Sequence, residues 1–220
     1  MTHNPRRRAA LCDAALAVLA RHGARGLTFR AVDGQAHVPT GTASNYFTSR
    51  DDLLAQAGRH LYVRLAPDPD EVREHMSGPR TRTMVTELMR WLLRRITDQR
   101  DLYLALLELR LEATRRPELR EALTRTIRED LDANVRGHLK AGLPGDRTTV
   151  VLLYLAMNGL MVEHLTLPGV LGDADTEQLI AALVAHLVPQ ESPAAASRDC
   201  VPDALPDTGV RRAEDRPSRR

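Results

Sequence analysis

The stretch TGTASN, residues 40–45, holds three hydroxyls and one carboxamide, at Thr40, Thr42, Ser44 and Asn45. Their chemistry is hydrogen bonding rather than bond breaking. A hydroxyl donates and accepts, a threonine adds a methyl, and a carboxamide can pair with an adenine edge through both its atoms. Small polar side chains on the outer face of a short helix suit base edges in the major groove of duplex DNA. Tyr46 lies beside them with a hydroxyl for the phosphates, and Phe47 closes the stretch as a hydrophobic plug.

Such a face needs a support, and the flanking sequence supplies one. Residues 6–22 carry Leu11, Ala15, Val18 and His22 at helical spacing, and GARG at 23–26 breaks that helix. Thr28 is placed to cap a second helix over 28–36, HVP at 37–39 is a turn, and a third helix covers 40–46. Val38, Ala43 and Phe47 then point inward, while Thr40, Thr42, Ser44 and Asn45 face out. Ser49 with Asp52 three residues later reads as a capping box opening a fourth helix to about residue 65. The arrangement is a helix-turn-helix.

These residues resemble the start of the TetR family of bacterial transcriptional regulators. Thr28, Arg30, Val32, Ala36, Val38, Gly41, Thr42, Phe47, Ser49, Arg50 and Leu53 match its signature or replace it conservatively, over about a quarter of the chain. The resemblance implies an N-terminal DNA-binding domain joined to a helical C-terminal domain that binds a small molecule and dimerises. It implies phosphate contacts from Thr28, Tyr46 and Arg50, a guanine or phosphate contact from Arg30, and a reading face of Thr40, Gly41, Thr42, Ser44 and Asn45. Four positions depart from the signature. Asp33 stands for a small apolar residue and must find a partner or lie exposed; His37 stands for the turn glycine, Ser44 for a tyrosine and Tyr46 for a histidine.

Charge supports the division. Residues 1–66 hold nine arginines against four aspartates, whereas 67–188 hold sixteen basic against nineteen acidic side chains. A basic front on a mildly acidic body points to a polyanion for the front alone, with Arg6, Arg7 and Arg8 adding salt-sensitive attraction. Lys140 is the single lysine, which reads as base composition rather than function.

The remainder is helical, with no strand-like alternation long enough for a sheet, so the fold class is all-α. Helices are expected after Pro79 to about 97, over 101–114, 117–140, 146–166 and 175–187, with at most one short turn of helix in 66–80. The domains are then 1–50, a connecting helix to about 65, and a body over 66–188. The Pro-rich, charge-mixed residues 189–220 read as a disordered tail. The two apolar last helices, 146–166 and 175–187, suit a two-fold homodimer presenting two reading helices to a palindromic double-stranded operator. Trp91, Tyr103, Glu108, Arg110, Tyr154, Met157 and Asn158, with Glu163 and His164, are candidates for a small-molecule pocket.

Other chemistry finds little support. Eight histidines are dispersed without metal-ligand spacing, and no GxSxG, P-loop or GxGxxG occurs, so neither metal, cofactor nor catalytic residue is expected. Cys12 falls in a helix and Cys200 in the tail, which suits a reducing compartment. Asp13 interrupts the apolar N-terminal stretch, and the run 150–162 is too short for a bilayer, so the protein reads as cytoplasmic, without a membrane partner, and on the nucleoid when bound. A ligand-released repressor fits best. A scaffold with a degenerate DNA face, favoured by Asp33, His37 and Ser44, and a small helical enzyme are the other classes.

Overall fold

The computed structural model describes residues 4–172 and 174–190. The expected tail lies outside the described residues from 191 onward. Among the described residues the regular structure is wholly helical, in the order α1 (Pro5–Gly26), α2 (Phe29–Gln35), α3 (Arg50–Leu65), α4 (Pro69–His75), α5 (Arg82–Asp98), α6 (Arg100–Ala113), α7 (Pro117–Lys140), α8 (Arg147–Thr166) and α9 (Thr176–Leu187). Short 3₁₀ turns fall at Ala43–Asn45 and Pro168–Leu171.

The helix starts follow local capping chemistry. Thr28 accepts from the Ala31 amide at 3.1 Å, Ser49 from Asp52 at 3.0 Å, Asp146 from Thr149 at 2.9 Å and Asp175 from Glu177 at 2.9 Å. Each satisfies a backbone donor that has no partner within the helix. The capping box expected at Ser49 is only half formed. Asp52 accepts from the Thr48 amide at 2.9 Å instead of reaching back to Ser49, because Thr48 lies within its reach across the turn.

GARG interrupts α1 as its glycines suggest: Gly23 sits at φ 64°, ψ −178°, and three more residues follow before Leu27. His22, expected on the apolar face, is exposed; Leu16, Leu19 and Cys12 are buried there with Leu11, Ala15 and Val18.

One hydrophobic cluster joins Leu11, Leu19, Leu27, Val32, Ala43, Phe47, Leu53 and Leu61 to Leu106, Leu109, Leu119 and Leu123. The core under the helix-turn-helix thus continues into α6 and α7 without a seam. Each buried leucine contributes about 1.5–3 kcal/mol of apolar transfer. A second group lies between α5, α8 and α9, where Met84, Val85, Leu93, Leu153, Met157, Ile180 and Val184 pack together. α8 is 20 residues long and is apolar enough to cross a membrane by length and composition, which the run 150–162 alone does not suggest. Its face at Leu153, Met157, Met161 and Leu165 is buried against the neighbouring helices.

Candidate nucleic-acid interface and effector region

The reading segment is shorter and tighter than expected. Instead of an α-helix over 40–46, residues 39–46 form successive turns with a 3₁₀ helix at Ala43–Asn45. The reason lies in α2. Asp33 is buried at 2% exposure, and its carboxylate accepts from the Gly41 amide (Oδ2, 2.7 Å) and the Ala43 amide (Oδ1, 2.7 Å). Two charge-assisted bonds from one residue pin both ends of the turn, each stronger than an ordinary amide bond. The substitution that looked like an oddity is the clamp of the reading segment.

The turn before it is equally ordered. The Val38 amide donates to Asp33 O at 3.0 Å and the His37 amide to Gly34 O at 3.2 Å, the two bonds of a Schellman helix end. His37 takes the left-handed position at φ 52°, where glycine is usual. Gly41 has φ 92°, and a Cβ built there would meet nothing within 4 Å. Glycine is needed for that angle, while the open space above it leaves the backbone accessible to a partner.

Ala43 and Phe47 are buried and Val38 packs against them, as the pattern suggests. Thr28, Arg30, Thr40, Ser44 and Asn45 are exposed, and Gly41, Thr42 and Tyr46 are half-buried. The Thr42 hydroxyl donates to Pro39 O at 2.5 Å and the Ser44 hydroxyl to Gly41 O at 2.8 Å.

Two arginines are placed otherwise than expected. Arg50 points inward: its guanidinium donates to Leu27 O (3.1 Å) and Ala24 O and lies 3.9 Å from Glu112. It is a strut between the helix-turn-helix and α6 rather than a phosphate clamp. Arg8, expected to add salt-sensitive attraction with Arg6 and Arg7, is instead engaged within the protein. It donates to Gln56 at 2.7 Å and sits 5.6 Å and 5.8 Å from the ring centres of Tyr46 and Phe47, within cation–π range.

Sequence reasoning missed the joint between front and body. The Ala24 amide, freed by the break at Gly23, donates to Glu108 of α6 at 2.9 Å. One turn on, Glu112 is 8% exposed and accepts from Arg116 (2.9 Å) and Arg115 (3.1 Å), while Arg116 also bonds Asp51 of α3. The hydrogen bond from Arg116 leads in holding the Glu112 carboxyl below its ordinary value, with Arg115 adding to it against the effect of burial. Glu108 therefore belongs to the joint and not to a pocket. Its i, i+4 spacing from Glu112 on a helix of otherwise apolar inward positions is the one signal the sequence offered.

The other pocket candidates divide. Trp91 packs at a tilt against His75 (ring centres 4.5 Å apart), with Arg95 5.1 Å over its ring. Met157 is buried between α5 and α9. Asn158 is tied to Tyr154 O at 2.7 Å, and His164 lies 3.1 Å from the Thr97 hydroxyl. Tyr103, Arg110 and Tyr154 each lie within electrostatic reach of Tyr62 of α3, a residue the sequence did not single out. Tyr62 of α3 is raised well above an ordinary tyrosine by burial first, then by Tyr154 and Asp130, with Arg110 and Tyr103 also within electrostatic reach. Asp130 of α7 is open to solvent yet ringed by protein, and that partial burial raises its carboxyl against a 3.2 Å hydrogen bond from Asn134. A groove of about 540 Å³ on α7, between Pro117 and Asp132, contains none of the candidates. Among the described residues no group of three or more metal-ligating side chains is assembled.

Comparison with known proteins agrees with this geometry. Residues 11–57 match the family described as bacterial regulatory proteins, tetR family, and residues 80–190 match the tetracyclin repressor-like C-terminal domain. The HTH-type transcriptional regulator BetI of Agrobacterium fabrum is 37% identical over 76 residues, which span 34% of this chain and 37% of that protein. Among solved structures, a TetR-family member from Streptomyces coelicolor is 27% identical with a TM-score of 0.64, covering 84% of this chain and 99% of that one. The multidrug binding protein EbrR, complexed with ethidium, is 27% identical with a TM-score of 0.61, covering 84% of this chain and 100% of that one.

Proposed function

This chain belongs to the TetR family of bacterial transcriptional regulators, and on that footing we propose that it is a dimeric repressor that grips a palindromic operator and releases it when a small molecule enters its helical body. The observation that carries the reading is the clamped turn: Asp33 fixes the backbone while Thr40, Ser44 and Asn45 stay exposed. A face ordered before its partner arrives loses less conformational entropy on docking. Thr28, Arg30 and Tyr46 flank it toward the phosphates, and Arg6 and Arg7 add exposed positive charge in the first turn of α1. Of Asp33, His37 and Ser44, the residues that favoured a degenerate scaffold, the first two each have a structural role in holding this face. A DNA partner assigns the protein to the cytoplasm.

Dimerisation is supported by a strip of exposed apolar side chains. Leu152, Leu155 and Val162 on α8 and Leu179 on α9 are each 38% to 57% exposed, on the side away from the buried face. Covering them with a second copy removes the patch and gives the two-fold arrangement that a palindromic operator calls for.

Release needs an effector that binds one arrangement of the turns better than the other. Tyr62, Tyr103, Asp130 and Tyr154 lie within electrostatic reach of one another, with Arg110, and three aromatic rings beside a carboxylate are the side chains that a flat cationic molecule would use. The complex of EbrR with ethidium supports that class. α6 carries Tyr103 and Arg110 toward this region and Glu108 and Glu112 toward the front, so a shift of α6 moves both.

Gel shift and fluorescence anisotropy with the DNA upstream of the protein's own gene test the reading. Specific binding at low salt, lost in Asn45→Ala and reversed by an effector, is the expected result. Equal affinity for that DNA and a scrambled duplex overturns it.

A further inference from the structure

The hydroxyls of the reading turn are not equivalent. Thr40 is exposed, and its hydroxyl can rotate to donate or accept. Thr42 and Ser44 have already committed their single hydroxyl protons, at 2.5 Å to Pro39 O and 2.8 Å to Gly41 O. Those two carbonyls are held in place by the turn that Asp33 clamps, through the amides of Gly41 and Ala43. What Thr42 and Ser44 can offer outward is therefore lone pairs alone.

Resting on the reading of this turn as the operator-binding face, we propose that Thr42 and Ser44 specify the operator as hydrogen-bond acceptors, each selecting the exocyclic amino group of an adenine or a cytosine in the major groove. A base presents three kinds of polar group there: amino donors on adenine and cytosine, O6 and O4 acceptors on guanine and thymine, and N7 acceptors on both purines. A hydroxyl facing O6, O4 or N7 must first surrender its bond to Pro39 O or Gly41 O; Pro39 O keeps the Thr42 amide at 3.1 Å, so what is lost there is the hydroxyl bond itself. A hydroxyl facing an amino group keeps that bond and gains another, and the two reinforce each other. Preference for the amino group follows, about two- to tenfold for each hydroxyl. Asn45 differs in kind, since its carboxamide can donate and accept together. Asp33 is the positioning residue: it touches no base, and it keeps both acceptors pointed.

The test selects a preferred operator from a random duplex pool with the full chain, then scans its half-site with altered bases. Purine in place of adenine and 2-pyrimidinone in place of cytosine remove only the amino group; 7-deazapurines remove only N7. In the wild type, deleting the amino group at two positions of the half-site lowers affinity about two- to tenfold. Thr42→Val makes the protein indifferent to one of those deletions, and Ser44→Ala to the other. Asp33→Asn blunts both deletions together. Circular dichroism of the two hydroxyl variants, and a response to base changes elsewhere in the half-site that each variant keeps, separate lost reading from lost folding. If these variants instead abolish sensitivity to an N7 deletion, or to none of the altered bases, the acceptor assignment is overturned while operator binding stands. A pool from which nothing is enriched overturns operator binding and this inference with it.

Discussion

The DNA-reading front and the helical body handle their polar groups in opposite ways. In the front, polar residues close in sequence do the work: Asp33 bonds amides eight and ten positions on, and Thr42 and Ser44 bond carbonyls three positions back. Behind it, the polar residues within electrostatic reach of one another, Tyr62, Tyr103, Asp130 and Tyr154, sit on four separate helices, the connecting helix α3 among them. A local network is ordered by the chain itself. A dispersed network is ordered only as well as the helices that carry it, and moves when they move. That difference suits a reading face that must stay rigid and a body that must respond.

Four experiments break or sharpen the contrast, beginning with the greatest effect. Leu155→Arg places a charge in the exposed strip on α8, which is 57% exposed at that position. Sedimentation should show a monomer, and affinity for a palindromic operator should fall more than about a hundredfold as two-site binding is lost; an intact dimer would remove α8 from the interface. Asp33→Ala leaves the buried Ala43 amide and the half-buried Gly41 amide without acceptors, so unfolding in urea should show a loss of about 2–3 kcal/mol. A loss below about 0.5 kcal/mol would mean the clamp does not hold the turn.

Glu112→Gln tests the joint between the regions. The carboxyl is held below its ordinary value of 4.5, so its stabilising effect is complete above that value and is lost as pH falls through the lower, folded one. At pH 7 the variant should melt lower, by about 1–2 kcal/mol of stability. The gap between variant and wild type should close as the pH is taken below about 4. A gap that stays constant with pH would show that the carboxylate's charge is not what holds the joint. The smallest effect belongs to His37→Gly. Relief of a left-handed φ of 52° should raise stability by about 0.5–1 kcal/mol, with no change in operator preference.

Much of the front was legible because its signals are short in range. Thr28 and Ser49 cap as their positions suggest, Gly23 breaks α1, and Ala43 and Phe47 are buried. The reading segment was misjudged as an α-helix because helix propensity says nothing of a buried carboxylate arriving from α2. Arg50 was assigned to phosphate by its register, whereas carbonyls left at the end of α1 and the nearby Glu112 draw it inward. In the body, Trp91, Glu108 and Met157 looked equally fit for a pocket, since residue type alone cannot say which side of a helix a neighbour covers.

By itself, then, the amino-acid order determined most of the helices, several of their caps, the broken first helix and the exposure of Thr40, Ser44 and Asn45, because each depends on atoms a few positions apart. The folded arrangement alone decided that Asp33 is a clamp, that Arg50 is a strut, and that Tyr62 and Asp130 share a region with Tyr103 and Tyr154. Those roles rest on contacts between segments distant in the chain. Packing chooses such contacts by burying apolar surface, and the polar partners follow wherever the helices come to rest.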